Sequence, residues 1–426
     1  MALSSFKTAS RALRHRNYRL FFSGQLLSRI GTWMQQLALA WLAYQLTHSA
    51  LMLGMVGFCS QIGTFLLSPF AGILADRIER QRILLATQIL SMFQALTLAA
   101  LTLSGHVRVS HLLMLGGCLG LINAFEITAR QSFVPQMVDD AADLPSAIAL
   151  NSSLNNGARL VGPMIAGMLV ARLGAGVCFL LNGLSYMGTI AALLAIHTPP
   201  RQVSLRSHHP LTDLKLGFTY LIAHRPIRAL VALLGLVGMM GQPYNVLFPL
   251  FATQVFHGNA SVLGMLTSAI GCGALLGAAV LATRTSVLNL SRMVPLGALA
   301  FGGGFLAFSM TRSVGFALPV LALAGAGMTL QNGATNTLVQ TLVDEEMRGR
   351  VMSFYVMAFM GMAPLGSLLI GTLAAHLGAP TAAAFCGASL ILGGLVYAWR
   401  WKSLSAIAHG IFVQKGLFPK ETEQVS

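Results

Sequence analysis

Charged residues are scarce in this sequence. Only 9% of the 426 residues are charged and 55% are apolar, whereas an ordinary soluble domain carries about 25% charged residues. This composition excludes a typical water-soluble globule. The five cysteines form no CxxC pair, and no two histidines have the i, i+4 spacing of a helical metal site inside an apolar segment. We expect no metal and no cofactor, and the lack of a nucleophile–base set or phosphate loop argues against an enzyme.

Long apolar runs are what the sequence does contain. A helix needs about 20 mostly apolar residues to cross the hydrocarbon core, and continuous rather than alternating apolarity favours helices over strands. The sequence therefore predicts an all-α polytopic membrane protein with twelve transmembrane helices. The predicted segments are 18–45, 51–75, 83–104, 110–133, 146–171, 175–196, 227–251, 261–282, 293–311, 314–339, 351–375 and 380–400.

The net charge of +15 comes from basic residues that are concentrated in alternate loops between the predicted helices. When alternate loops are assigned to the cytoplasm, beginning with the N-terminus, only Arg108, Arg172 and Arg312 fall outside, and Arg29 and Arg159 lie within helices. The positive-inside bias predicts that both termini are cytoplasmic. No recognition motif accompanies the basic excess, so we do not expect nucleic-acid binding.

The longest polar interruption divides the chain into two halves of six predicted helices. At an offset of 205 residues, segment 120–140 resembles segment 325–345, and both end on a valine followed by two acids. Two parallel six-helix repeats are typical of secondary transporters, whose substrate site lies between the repeats near the midplane. The predicted organisation is a basic cytoplasmic segment 1–17, a bundle 18–196, a cytoplasmic linker 197–225, a bundle 226–400 and a cytoplasmic tail 401–426.

Two motifs carry a resemblance to a known family. The loop "GILADRIERQR" (72–82) resembles the signature G-x-x-x-D-R-x-G-R-R of the major facilitator superfamily, although Glu79 replaces its second glycine. "ARLVGPMIAG" (158–167) resembles that superfamily's antiporter motif, with Ala158 and Ala166 in place of glycines. The matching residues, which the resemblance implies to be a conformational gate, are Gly72, Asp76, Arg77, Arg80, Gly162, Pro163 and Gly167.

The sequence of the first predicted helix resembles one branch of this superfamily in particular. "GTWMQQLALAWLAYQLTHSALMLG" (31–54) is similar to the start of the bacterial efflux branch that includes enterobactin-type siderophore exporters and macrolide exporters. The likeness covers the chain from about residue 12 to residue 400. It implies a monomeric multi-pass protein of the bacterial inner membrane that moves a small molecule by alternating access. Gly162-Pro163 either bends the fifth helix during that movement or forms a static kink.

Glu126 is the one acid well inside a predicted span. A charged residue there costs on the order of 2.5–3.5 kcal/mol by insertion scales, so an intramembrane acid is a candidate functional site. Arg29 and Arg159 lie at similar depth, and Gln331 occupies the repeat position of Glu126. We expect Glu126 to pair with Arg29 or Arg159. The pair is either a static structural ion pair or one that opens, with Glu126 coupling export to the proton gradient.

Other polar side chains are expected to face the same cavity. The surplus of arginine over glutamate favours an anionic ligand, and mid-helix amides favour one of mixed character. The residues proposed to bind substrate are Arg29, Arg159, Trp33, Gln35, Gln36, Asn123, Gln242, Tyr244, Asn245, Gln331 and Asn332.

The leading hypothesis is a proton-coupled exporter of a small amphiphilic or anionic, siderophore-like molecule. Broad-specificity drug efflux by the same fold is an alternative, and uptake or facilitated diffusion is argued against only weakly by the antiporter motif. A membrane interaction or assembly protein that has lost transport is the alternative from a different class. Charges retained within the membrane argue against it, because they are costly unless they are used.

Overall fold

The fold is nearly all helical. A computed structural model describes residues 11–197, 210–283 and 287–414, with the backbone alone for 68–70, 72–77, 141, 210–214, 287–289 and 401–414. The helices of the N-terminal half are α1 (Arg16–Thr47), α2 (Ala50–Arg77), α3 (Arg80–Leu103), α4 (Val109–Phe133), α5 (Leu144–Leu173) and α6 (Ala175–Ala195). Those of the C-terminal half are α7 (Pro210–Ala223), α8 (Arg225–Gly241), α9 (Tyr244–Leu250), α10 (Ala260–Ala282), α11 (Val287–Met310), α12 (Val314–Leu342), α13 (Glu345–Val356), α14 (Met362–Leu377) and α15 (Ala379–Gln414).

Ten of the described helical segments are long and apolar enough to cross a membrane. This confirms a polytopic helical membrane protein. The two remaining long helices are α1 and α5, which carry Arg29 and Arg159 together with several mid-helix amides. Helices α1 and α5, which are too polar to be identified as membrane spans from composition, therefore supply the two arginines at membrane depth.

Two predicted segments are interrupted in the structure. The predicted helix 227–251 breaks at Gln242–Pro243, between α8 and α9, where the proline has no backbone N–H to continue the ladder. The predicted helix 351–375 contains a π-helical turn, Met357–Gly361, between α13 and α14. In addition, α15 runs on to Gln414, into the segment predicted to be a tail.

The apolar core shows how the two halves meet. One cluster, the shared cluster, takes residues from both halves, among them Tyr44, Val170, Phe251 and Ala374. Two further clusters lie at the end of the molecule where α6 ends and α7 begins, which we call the linker end. One of them, from Ala12 to Ile196, belongs to the N-terminal half, and the other, from Leu221 to Tyr397, to the C-terminal half.

The buried residues of each linker-end cluster come from one half only, whereas those of the shared cluster come from both. The halves therefore share a core at the far end, opposite the linker end, and keep separate cores at the linker end.

Glycine pairs allow the close crossings that join the halves. A Cβ added at Gly167 in α5 would lie 2.7 Å from the Ala260 carbonyl oxygen and 3.0 Å from the Gly264 Cα in α10. A Cβ at Gly371 in α14 would lie 2.9 Å from the Ala50 carbonyl oxygen and from the Gly54 Cα in α2. At both helix crossings an added Cβ would come closer to the opposite backbone than side chains tolerate. Each of these two crossings therefore requires glycine.

The two glycine crossings are equivalent by the internal repeat. Gly167 and Gly371 are 204 residues apart, the offset at which "LVARLGAG" matches "LAAHLGAP". The halves are therefore held at the far end by two copies of one contact.

Candidate functional site: buried charges between the halves

Glu126 is buried, with 5% of its surface exposed. Arg29 Nη2 donates to Glu126 Oε1 at 2.6 Å, which confirms the first of the two expected pairings. Arg130 Nε lies 3.2 Å from the same oxygen, and Arg29 Nε donates to Gln25 Oε1 at 2.9 Å. We call Glu126, Arg29 and Arg130 the charged triad.

Arg130 was missed as a partner because the topology count placed it among the cytoplasmic basic residues. The available signal was its i, i+4 spacing from Glu126 on one helix.

The charged triad carries two arginines and one carboxylate. A buried ion pair offsets its desolvation cost only when the remaining polar atoms are also satisfied. In the described structure, two buried donors here make no hydrogen bond: Gln25 Nε2, and Arg130 Nε, whose contact with Glu126 is an ion pair without hydrogen-bond geometry. The charged triad therefore carries surplus positive charge, and loss of the negative charge on Glu126 would leave two largely buried arginines without an ion-pair partner.

The repeat-equivalent site in the C-terminal half is neutral. Gln331, fully buried in α12, donates through Nε2 to Thr335 Oγ1 at 3.3 Å, the same i, i+4 relation that joins Glu126 to Arg130. At the offset of 205, Arg29 corresponds to Leu234, which is fully buried in the core. The neighbouring Asn332 accepts hydrogen bonds from the Tyr355 hydroxyl through its backbone and side-chain oxygens.

Arg159 lies apart from the charged triad and spans the boundary between the halves. Its Nη2 donates to the Tyr244 hydroxyl at 2.7 Å. The guanidinium carbon is 5.3 Å from the centre of the Trp33 ring and 5.6 Å from the centre of the Tyr244 ring, within the range of cation–π attraction. Among the described residues, no carboxylate forms an ion pair with Arg159, and its buried Nε has no acceptor.

A small cavity between α1, α9 and α10 shares Trp33, the ring beside the Arg159 guanidinium, as one of its lining residues. Trp33, Gln36 and Asn245 contribute to its wall, with apolar residues and Thr267. Gln36 and Asn245 are exposed although each lies within a helix. Gln242 and Asn123 are each partly buried.

Gln35 is placed elsewhere. It is 1% exposed, its Nε2 donates to Gln94 Oε1 at 2.9 Å, and its Oε1 accepts from Asn182 Nδ2 at 2.7 Å. This amide network joins α1, α3 and α6 within the N-terminal half. Neighbouring positions on a helix point about 100° apart, so Gln36 faces the cavity and Gln35 does not.

The described gate residues make close contacts between helices. A Cβ at Gly162 would lie 2.7 Å from the Trp33 Cβ, and Pro163, inside the continuous α5, lies with its carbonyl oxygen against Gly264. Arg80 Nη1 donates to the Ser132 carbonyl oxygen at 2.6 Å, which ties the start of α3 to the end of α4. The side chains of Asp76 and Arg77, and the surroundings of Gly72, lie outside the described residues.

A contact at the linker end was not foreseen from the sequence. The two ring nitrogens of His15 lie 3.0 Å from Asp139 Oδ2 and 3.1 Å from Asp143 Oδ2. In the other half the Tyr220 hydroxyl donates to Asp344 Oδ2 at 2.9 Å. Each pair is separated by 124 residues in the chain, and the offset of 205 takes His15 to Tyr220 and Asp139 to Asp344. The hydrogen bond with Asp139, followed by that with Asp143, raises the pKa of His15 above its ordinary value.

Known proteins resemble this chain over nearly its whole length. The staphyloferrin A transporter of Staphylococcus aureus is 27% identical over 382 residues, 89% of this chain and 95% of that protein. The enterobactin exporter EntS of Shigella boydii is 26% identical over 391 residues, 90% and 91% of the two chains. These relatives are named as transporters and exporters, in agreement with the expectation that the chain is not an enzyme.

Solved structures show the same fold. A POT family transporter in complex with 5-aminolevulinic acid has a TM-score of 0.72 at 14% identity, covering 91% of this chain and 96% of that one. A bacterial homolog of the human lysosomal transporter Spinster has a TM-score of 0.67 at 14% identity, covering 93% and 98%. The model of the transmembrane secretion effector family matches residues 7–408, and the chain belongs to this family of major facilitator transporters.

Proposed function

We propose that this protein exports a small anionic, siderophore-like molecule from the cytoplasm of a bacterium across the inner membrane. The observation that carries the proposal is Arg159, a cation between the two halves with no carboxylate paired to it among the described residues. The functions for which the relatives are named, transport of staphyloferrin A and export of enterobactin, support a siderophore as the ligand class. An unpaired arginine would repel a cationic drug, so broad drug efflux fits this site less well.

In this proposal α1 and α5 cross the membrane with the ten apolar segments, which makes twelve spans and places both termini in the cytoplasm. The distribution of basic residues supports that orientation. The linker end then faces the cytoplasm, and the separate cores there with a shared core at the far end correspond to a cavity open inward. Alternating access would part the shared cluster and bring the two linker-end clusters together.

The ligand's anionic group would bind Arg159, and Trp33, Gln36 and Asn245 would contact the rest of the molecule. Charge-assisted hydrogen bonds to arginine are about twice as strong as neutral ones. Gln35, Gln331 and Asn332 are engaged within their own halves, so we leave them out of the binding surface. Arg29 belongs to the charged triad in this conformation and would reach the ligand only after leaving Glu126.

Glu126 is the proposed site of proton coupling. Protonation of its carboxylate would remove the charge that holds Arg29 and would leave two arginines facing each other. Their repulsion would favour movement of α1 relative to α4. Return of the proton to the cytoplasm would restore the charged triad, so one carboxylate could link proton entry to the conformational cycle.

Uptake into inverted membrane vesicles tests the proposal. Vesicles containing the protein and energised with an interior-acid proton gradient should accumulate radiolabelled staphyloferrin A or enterobactin. Arg159→Gln removes the cation but keeps a polar side chain, and it should weaken apparent affinity by about 10- to 100-fold, the value of a hydrogen bond to a charged group.

Arg172→Gln is the matched control, because Arg172 is an exposed arginine near the end of the same helix. Unchanged uptake of the anionic ligands by Arg159→Gln would contradict the proposed site. Accumulation of ethidium with no effect of either siderophore would favour drug efflux instead.

A further inference from the structure

The bond between Arg159 and Tyr244 joins the halves through a charged group. Arg159 belongs to α5 in the N-terminal half, and Tyr244 is the first residue of α9 in the C-terminal half. Apart from the bonds of Arg159, the described hydrogen bonds between the halves join uncharged groups. They run from Gln254 to Tyr44 (3.1 Å), from Ser261 to the Gly167 carbonyl (3.4 Å) and from Ser268 to the Leu160 carbonyl (2.8 Å).

The Tyr244 hydroxyl is a weak acceptor for a guanidinium. It satisfies Nη2 only, while Nε stays buried without an acceptor and the Met328 sulfur lies 3.9 Å from Nη2. A carboxylate or catecholate oxygen would form a stronger, charge-assisted bond and would match the two-pronged donor geometry of arginine. Tyr244 therefore occupies a donor that an oxyanion would bind more tightly.

Tyr244 also lies at a break in the backbone. Helix α8 ends at Gly241 and α9 begins after Pro243, so the ladder of helical hydrogen bonds does not hold Tyr244 rigidly to α8. A change at its hydroxyl can be taken up locally by a movement of α9 against α8. Because α9 contacts both α1 and α2, such a movement reaches the surface between the halves.

We propose that Tyr244 is a displaceable placeholder: an oxyanion on the ligand replaces its hydroxyl at Arg159, and this exchange loosens the contact between the halves. The inference rests on the proposed function and names what the ligand must present, a carboxylate or catecholate oxygen. Binding and conformational change are then linked through one hydrogen bond, since the ligand takes a donor that joins the two halves. A neutral ligand of the same shape does not make this exchange.

The variant Tyr244→Phe tests the role of the Tyr244 hydroxyl without changing Arg159. The variant keeps the ring beside Arg159 and removes only the competing hydroxyl. Binding to the purified full chain is measured at about pH 6, where the catechol hydroxyls are protonated, with citrate and 2,3-dihydroxybenzoate as carboxylate probes and 2,3-dihydroxybenzamide as the neutral match. Removal of a competing hydrogen bond should raise affinity for the oxyanions by about 3- to 10-fold and leave the amide unchanged.

Backbone hydrogen–deuterium exchange gives the conformational readout. In the wild type, saturating 2,3-dihydroxybenzoate should speed exchange in the crossing segments 160–173 and 260–271. Ligand-free Tyr244→Phe should already exchange at the faster rate. Tyr44→Phe, which removes a phenol from the Gln254 bond at the far end, should leave oxyanion affinity unchanged.

The outcomes distinguish this inference from the proposed function. Lower oxyanion affinity in Tyr244→Phe would show that the hydroxyl binds the ligand directly and would overturn the placeholder role. Unchanged affinity and exchange in Tyr244→Phe, with oxyanion binding that still depends on Arg159, would overturn the placeholder role alone. No oxyanion binding to either protein, or binding indifferent to Arg159→Gln, would remove the proposed function as well.

Discussion

The two halves place different chemistry on equivalent positions. Glu126 and Arg130 in the N-terminal half correspond to Gln331 and Thr335 in the C-terminal half, and both pairs make an i, i+4 contact, at 3.2 Å and 3.3 Å. His15 likewise corresponds to Tyr220, each bonded to an aspartate 124 residues along the chain. The duplicated backbone keeps its contacts, but at these equivalent positions the carboxylate, the guanidinium and the imidazole lie in the N-terminal half.

Packing at the glycine crossings, in contrast, is the same in both halves. At the far end both halves contribute the same contact, Gly167 on Gly264 and Gly371 on Gly54. Packing between the halves is thus symmetric at the far end, whereas the polar chemistry at repeat-equivalent positions is asymmetric. The proposed proton coupling therefore belongs to the N-terminal half.

Removing the carboxylate of the charged triad should have the largest effect. Glu126→Gln leaves Arg29 and Arg130 buried without their carboxylate, and losing one partner of a buried ion pair destabilises a protein by about 3–5 kcal/mol. We expect a lower midpoint of thermal unfolding and loss of gradient-driven uptake in inverted vesicles. Glu345→Gln is the control, since its side chain is 89% exposed and an exposed ion pair contributes about 0–1 kcal/mol.

A second variant keeps this prediction testable if Glu126→Gln does not fold. Arg29→Leu combined with Glu126→Gln reproduces the Leu234 and Gln331 of the other half and removes one of the two uncompensated arginines. Stability should recover in part, while coupling to the proton gradient stays lost. Full gradient-driven uptake by this double variant would refute a proton role for Glu126.

Changing the crossings should have an intermediate and equal effect in both halves. Gly167→Ala and Gly371→Ala each place a Cβ within 3.0 Å of the opposite backbone, and overpacking costs about 1–3 kcal/mol. Both variants should lower the unfolding midpoint by similar amounts and speed hydrogen exchange at the far end. Gly157→Ala is the control on α5, because no atom lies within 4 Å of its added Cβ. A large effect at one crossing and none at the other would break the symmetry inferred here.

The smallest effect should come from His15→Tyr, which copies Tyr220. The raised pKa of His15 means that its bonds to the two aspartates contribute fully below the unfolded-state pKa of about 6.5. That contribution is lost as the pH rises through the higher folded-state pKa, because a neutral imidazole has one N–H to donate. Wild-type stability should fall by about 0.5–1.5 kcal/mol over this range.

His15→Tyr should flatten that part of the pH dependence, measured as the unfolding midpoint from pH 6 to pH 9. The reciprocal variant Tyr220→His should introduce a similar slope through Asp344. An unchanged slope in His15→Tyr would assign the pH dependence to other groups.

Much of the fold was readable from local sequence. Apolar length located the helices, and depth along them brought Glu126 level with Arg29, a pairing that the structure confirms at 2.6 Å. Arg130 was missed because a count of loop charges ignores the helical spacing that brings it back to Glu126. The break at Pro243 was missed because hydropathy does not register the loss of one backbone hydrogen bond.

The division between sequence and tertiary structure follows the range of the interactions. Composition and periodicity determined a helical membrane protein, its repeat and its rare buried acid, since these depend on transfer of each segment from water to lipid. Only the tertiary structure decided that Arg29 is engaged while Arg159 bonds Tyr244, and that Gln36 faces the cavity while Gln35 joins helices. These contacts join side chains that are 85 or 147 residues apart in the chain. A local sequence pattern carries no information about contacts over such separations.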